Sequence, residues 1–313
     1  MQELNYIMKR ILHMIPVLIC ITVLIFLMIR LVPGNAAEVM LGERATPERL
    51  AILERRMGLD KPLFVQYMIY VKQVLTLDFG DSLTYVRPVV ELIRPKIAVT
   101  ASLIFTTTFF VLLFSFPIGY LAGKNSDTPT DRFIGVMSLV VLALPQFFIG
   151  TIFLFAFSLK LRWFPVGTWG TTMIQHVRAL ILPGLTGALG TSALMIRNLR
   201  NSVIDVIESD YVDFARSKGL TEKVIKSRHV LRNAMVSTVT LLALRVANML
   251  GGSIVIETVF SLPGLGKLLV DSIFSRDYAV VQTTVLLIAL MVLIVNLLTD
   301  IAYALLDPRV KLK

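Results

Sequence analysis

The feature that most constrains this chain is a series of apolar runs, most of them about 20 residues or longer, the length at which a helix crosses the ~30 Å hydrocarbon core of a bilayer. They cover residues 11–30, 97–122, 133–159, 180–196, 235–260 and 282–305. The expected fold is therefore all-α, a polytopic integral membrane protein with six transmembrane helices. Hydrophobic residues make up 56% of the chain, above the ~45–50% usual for soluble domains. The first run exceeds the 7–15 apolar residues of a secretory signal core and no small-x-small cleavage site follows it, so it is read as a retained helix.

Between the runs lie a head (1–10), a long polar segment (31–96), a basic loop (197–234) and a tail (306–313). In the long segment, Pro33-Gly34-Asn35 breaks the first helix and Thr46-Pro47-Glu48 opens a short helix that stops at Gly58. Pro62 opens another, with Phe64, Tyr67, Met68, Val71 and Leu75 on an apolar side. The second membrane run is rich in hydroxyls such as Thr100, Thr106 and Thr107, read either as helix residues bonding their own backbone or as a pore lining. Pro145-Gln146 interrupts the third. Residues 161–179 read as a loop with Trp163 and Trp169 as interfacial anchors. Gly184, Gly187, Ala188 and Thr191 in the fourth allow close helix approach.

The basic loop carries the most specific local signal. Asp210 is a helix cap with Asp213 in the first turn, Arg216 and Lys218 fall in the last turn, and Gly219 stands where a left-handed residue ends a helix. Thr221 caps a second short helix bearing Glu222, Lys223, Lys226, Arg228 and Arg232. Tyr211, Val212, Phe214 and Ala215 are too apolar for a purely solvated loop, so the bend reads as a knob that fits another protein.

The net charge is +10, yet no basic patch with interleaved aromatics points to nucleic acid. Lys and Arg serve instead as topology signals: fifteen lie on the segments that are cytoplasmic if the N-terminus is, against five on the two short outer loops. The long first loop is left out, because long loops translocate largely regardless of charge. Both termini are thus expected in the cytoplasm. The single cysteine, Cys20, permits no intrachain disulfide, and no metal motif occurs. His13, His176 and His229 are scattered and form no catalytic set. Leu262-Pro263-Gly264-Leu265-Gly266-Lys267 lacks the first glycine of a phosphate loop and has Leu268 where a hydroxyl is needed. Arg245, near the middle of the fifth run with Asn248 one turn on, is the costliest intramembrane residue, at ~2.5–3.5 kcal/mol on insertion scales. It faces either a water-filled path or a structural partner such as Asp300. Glu257, near the outer end, reads as solvated.

Asp213, Phe214, Ala215 and Gly219 occupy the Glu-Ala-Ala and Gly places of the cytoplasmic loop of permease subunits of ATP-binding-cassette importers, with His229, Leu231 and Arg232 on its later Ile, Leu and Pro. The strings Ala215-Arg216-Ser217-Lys218-Gly219-Leu220 and Arg228-His229-x-Leu231-Arg232-Asn233-Ala234 resemble the dipeptide/oligopeptide/nickel branch of that family. So do Gly58-Leu59-Asp60-x-Pro62-Leu63, Asp78-Phe79-Gly80-x-Ser82, Glu257-x-Val259-Phe260-x-Leu262-Pro263-Gly264, Arg276-Asp277-Tyr278 and the ending Asp307-Pro308-Arg309. The resemblance implies a type I importer permease fold in a bacterial or archaeal inner membrane. It implies as partners a second, homologous permease, two cytoplasmic ATPases that bind ATP and magnesium, and an extracytoplasmic solute-binding protein. It assigns ATPase coupling to Asp210, Tyr211, Asp213, Phe214, Ala215, Arg216, Lys218, Gly219 and Leu220, and leaves peptides, nickel or metal chelates, and glutathione-like compounds as solutes. A self-contained secondary transporter or channel is the alternative, but the chain shows no internal repeat and few intramembrane acids.

Overall fold

The computed structural model describes residues 2–31, 46–57 and 60–306. The sequence signals at Pro33-Gly34-Asn35, Gly58-Leu59 and Asp307-Pro308-Arg309 lie outside the described residues. Among the described residues all regular structure is helical, and Asp81 and Pro88 form an isolated β-bridge. The chain divides into two compact units, Met1–Val99 with Gly264–Leu293 and Thr100–Pro263 with Ile294–Lys313.

The first unit contains α1 (Gln2–Leu31), α2 (Pro47–Met57), α3 (Leu63–Thr76), the start of α4 (Val89–Lys124), α10 (Leu265–Phe274) and most of α11 (Tyr278–Leu306). Helix α3 packs on α1 through Tyr67 and Tyr70, whose rings lie 5.4 and 6.2 Å from that of Phe26. Arg30 sits 3.5 Å over the Phe26 ring and donates to Gln66 Oε1 at 2.6 and 3.0 Å. The face of α3 against α1 therefore differs from the expected one: Phe64, Met68 and Leu75 remain exposed. A second cluster joins Val89, Ile93, Leu265, Leu268 and Val280. Beside it, buried Asp277 accepts from Ser82 Oγ at 2.5 Å and from the Thr84 N–H at 3.1 Å, pinning the polar turn before α4.

The second unit is built on α7 (Met173–Ile207), flanked by α4, α5 (Pro129–Ala143), α6 (Gln146–Lys160) and α9 (Glu222–Val259). Leu182, Ala188, Met195, Leu199 and Val203 of α7 are all buried. A Cβ on Gly187 would meet Ile256 Cδ1 at 2.9 Å and Thr107 at 3.0 Å, so the missing side chain there favours the close approach of α7 to α9 and α4. Helix α7 starts six residues before the predicted loop ends, because Thr172 and Gln175 form a capping box. It also runs into the basic loop as far as Ile207, where no breaker stops it. Helices α5 and α6 are bent by 98° at Leu144-Pro145, with Leu144 extended as the residue before proline prefers. Likewise α4 and α11 begin at Val89 and Tyr278, ahead of their apolar runs, in polar turns.

Four helices among the described residues are long and apolar enough to cross a membrane: α4, α7, α9 and α11. The bent pair α5–α6 adds a fifth if it is one broken span, and α1 carries a shorter apolar stretch, Leu12–Met28.

Candidate coupling loop and membrane cavity

The basic loop folds into α8 (Asp210–Ser217) followed by a reversal at Gly219. The cap is Ser209, one residue earlier than expected, since Ser209 is extended and Asp210 already helical. The C-terminus of α8 closes as a Schellman motif: the Gly219 N–H donates to Arg216 O at 2.9 Å and the Leu220 N–H to Ala215 O at 3.3 Å. Gly219 has φ +79°, and a Cβ there would meet nothing within 4 Å. Only backbone conformation, not crowding within this chain, calls for glycine at this position.

One side of α8 is anchored and the other is free. Val212 and Ala215 are buried in a cluster with Leu199, Val203, Ile225, Val230 and Ala234. Ala215, expected on the docking knob, thus faces inward. Tyr211, Phe214 and Leu220 are exposed, as are Asp210, Asp213, Arg216, Lys218 and Gly219. Arg216 bridges Asp213 at 2.9 Å and Glu222 at 3.0 Å across the bend, and the Arg216 hydrogen bond holds Glu222 below the usual carboxylate range. Lys218 Nζ lies 4.4 Å over the Phe214 ring. Asn233 Nδ2 donates to Tyr211 Oη at 2.9 Å, tying the knob to α9.

The second short helix expected after Thr221 is not separate. Glu222 continues through a π-helical stretch, Ile225–Leu231, into the fifth membrane helix. No glycine or proline stands between Leu231 and Met235, so the wider turn absorbs the register change without a break. The root of the loop is fixed by Arg200, which grips buried Asp131 of α5 through two bonds of 2.6 and 2.7 Å.

Higher on α9, a cavity of about 130 Å³ opens within the second unit. Its lining includes Arg245, Asn248 and Ser253 of α9, Thr107 of α4, Thr191 of α7 and Gln146 at the start of α6. Arg245 and Asn248 are thus brought together with polar groups from three other helices. Gln146 was not a sequence candidate; its signal was the Pro145 break. Among the described residues no ion pair joins Arg245 to Asp300, the pairing considered from the sequence. Glu257, expected to be solvated, is fully buried and accepts from Thr100 Oγ1 at 2.6 Å. Groups of three or more His, Cys, Asp or Glu able to hold a metal are absent among the described residues.

Residues 115–312 match the family described as binding-protein-dependent transport system inner membrane component, and residues 3–104 match the N-terminal component of such membrane proteins. The chain is 39% identical over 310 residues to the glutathione transport system permease protein GsiC of Salmonella typhimurium (strain LT2), covering 99% of this chain and 100% of that one. It is 37% identical over 310 residues to GsiC of Escherichia coli (strain K12), with the same coverage. A solved structure of an amino acid ABC transporter with histidines superposes with a TM-score of 0.54 at 16% identity, covering 68% of this chain and 94% of the other, a likeness of fold. With helices of membrane length, a packed basic loop and matches along nearly the whole chain, this protein belongs to the binding-protein-dependent transport system inner membrane components and is a multi-pass permease subunit of an ATP-binding-cassette importer.

Proposed function

We propose that this permease forms half of a translocation path for small peptides of the glutathione type, beside a second, homologous permease. Two cytoplasmic ATPases bind the ATP and magnesium, and an extracytoplasmic binding protein delivers the solute; this chain performs no chemistry of its own. Both termini and α8 lie in the cytoplasm, as the basic-residue bias supports. The observation that carries the reading is the build of α8. Its inner side is locked by Val212 and Ala215, while Tyr211 and Phe214 stand exposed at a glycine bend. A rigid helix with an aromatic outer face suits insertion into a groove of an ATPase, where aromatic anchors carry most of the binding energy. Asp210, Asp213, Arg216, Lys218 and Leu220 surround that contact.

Arg245 and Asn248 line the path. The solute class follows from the 37–39% identity to glutathione permeases. The long first loop, with α2 and α3, receives the binding protein. Affinity purification of the chain co-expressed with its genomic neighbours tests the assembly: two ATPase copies and one other permease should co-elute. Elution of this chain by itself, stable and monodisperse, would argue for a self-contained transporter.

A further inference from the structure

Three arginines among the described residues are partly buried: Arg30, Arg200 and Arg245. Arg30 donates to Gln66 and stacks on Phe26, and Arg200 grips Asp131. Arg245 has neither an ion pair nor a hydrogen-bond acceptor among the described residues, although it lies at membrane depth on α9. The cavity carries no acid: Gln146, Asn248, Thr107, Thr191 and Ser253 line it together with apolar Leu103, Ile104, Met249 and Ile256. Ser253 and Asn248 spend donors on backbone carbonyls at 2.8 and 3.2 Å. The hydroxyls of Thr107 and Thr191 donate to no acceptor among the described residues. A half-buried guanidinium within a membrane-length helix is best satisfied by an anion, and neutral hydroxyl and amide donors around it can complete an anion's shell.

We infer that this cavity is a carboxylate-binding site on the transport path, with Arg245 as the anchor and Thr107, Thr191 and Asn248 as neutral donors. Resting on the importer reading, it gives the permease its own preference for carboxylate-bearing solutes over uncharged analogues, independent of the binding protein. A planar guanidinium binds a carboxylate through two parallel bonds, a geometry that an ammonium does not reproduce. The wall at Gly252 leaves room for the solute, since a Cβ there would meet only Gln146 Oε1, at an ordinary 3.6 Å.

The chain's single cysteine allows a direct test. In the assembled importer with Cys20→Ser, Gly252→Cys reports cavity occupancy through its rate of alkylation by N-ethylmaleimide. S-methylglutathione, with two free carboxylates, should slow labelling roughly tenfold at about ten times its Kd, where about one site in ten stays open. Its diethyl ester should not. Arg245→Gln should abolish the protection, and Arg245→Lys should retain part of it. Equal protection by acid and ester, protection that survives Arg245→Gln, or no labelling of the cavity cysteine would overturn the inference. So would loss of assembly in Arg245→Gln that Arg245→Lys restores with no acid protection, which would make the arginine a clasp for a partner's acid. ATP-driven uptake of glutathione, measured on the same preparation, separates the two ideas. Uptake without protection sinks the cavity site alone, and protection without uptake supports it while sinking glutathione as the transported solute.

Discussion

Replacing Gly219 perturbs the coupling knob through the backbone alone. The residue sits at φ +79° with no atom near a would-be Cβ, so the cost of a side chain is conformational. Holding an L-residue in the left-handed region costs about 1–2 kcal/mol, and a β-branched one more. Asparagine, which tolerates this region, costs least. If an ATPase recognises α8 only in its closed Schellman form, this energy appears in the docking equilibrium. Every 1.4 kcal/mol is then about a tenfold loss of affinity. The expected order of ATPase affinity is Gly219, then Asn, Ala and Val, with Gly219→Val weakened by at least about tenfold. Titration of purified ATPase onto the permease pair in nanodiscs, read by fluorescence anisotropy, measures it, while thermal melting of the membrane domain should change little. Gly219→Val binding as tightly as the wild type would refute the reasoning. So would Gly219→Asn failing as badly as Gly219→Val, since that would assign the glycine to close contact with the partner instead of to its own φ.

Other outcomes follow from the same geometry. Arg200→Ala leaves the buried Asp131 carboxylate without its two short bonds and should destabilise the second unit by about 2–4 kcal/mol, read as a lowered melting temperature in detergent. Charge reversal at exposed Glu48 or Arg55 should weaken docking of the binding protein by under ~1 kcal/mol, and less at high salt, while leaving ATPase activity without binding protein unchanged; the side chain of neighbouring Arg49 lies outside the described residues. Arg216 lowers the Glu222 pKa, so the bridge across the bend is present above the ordinary carboxylate range and is lost only as pH falls through the depressed value. ATPase docking should therefore be flat between about pH 6 and 8 and weaken in acid, and Glu222→Gln should remove that acid limb.

The signals legible in the sequence were local ones. Gly219 marked a helix end because only that residue type enters the left-handed region cheaply. Leu77, Ser261 and Arg276 end helices at φ 56°, 51° and 54°, and nothing in those side chains announces it. Pro145 announced the bend of 98° between α5 and α6, though not that the bend would carry Gln146 to Arg245. The Thr172–Gln175 capping box was available in the sequence as Thr-x-x-Gln and would have placed the start of α7. Which side of α8 packs was not legible: Phe214 and Ala215 are adjacent and both apolar, and the Leu199–Val203 surface decides that Ala215 goes in. The long-range pairs were equally hidden. Arg200 finds Asp131 across 69 positions and Ser82 finds Asp277 across 195, and no local spacing encodes either. Glu257 looked solvated by its place near a helix end, whereas Thr100 on a distant stretch supplies the hydrogen bond that goes with its burial.

Reconstitution tests the central claim most directly. The permease pair and its ATPases are placed in liposomes with ATP enclosed, the binding protein and labelled glutathione are added outside, and accumulated label is measured. Uptake should require ATP, the binding protein and an intact Gly219 together. Uptake that persists without ATP or without the binding protein, driven instead by an ion gradient, would contradict the account.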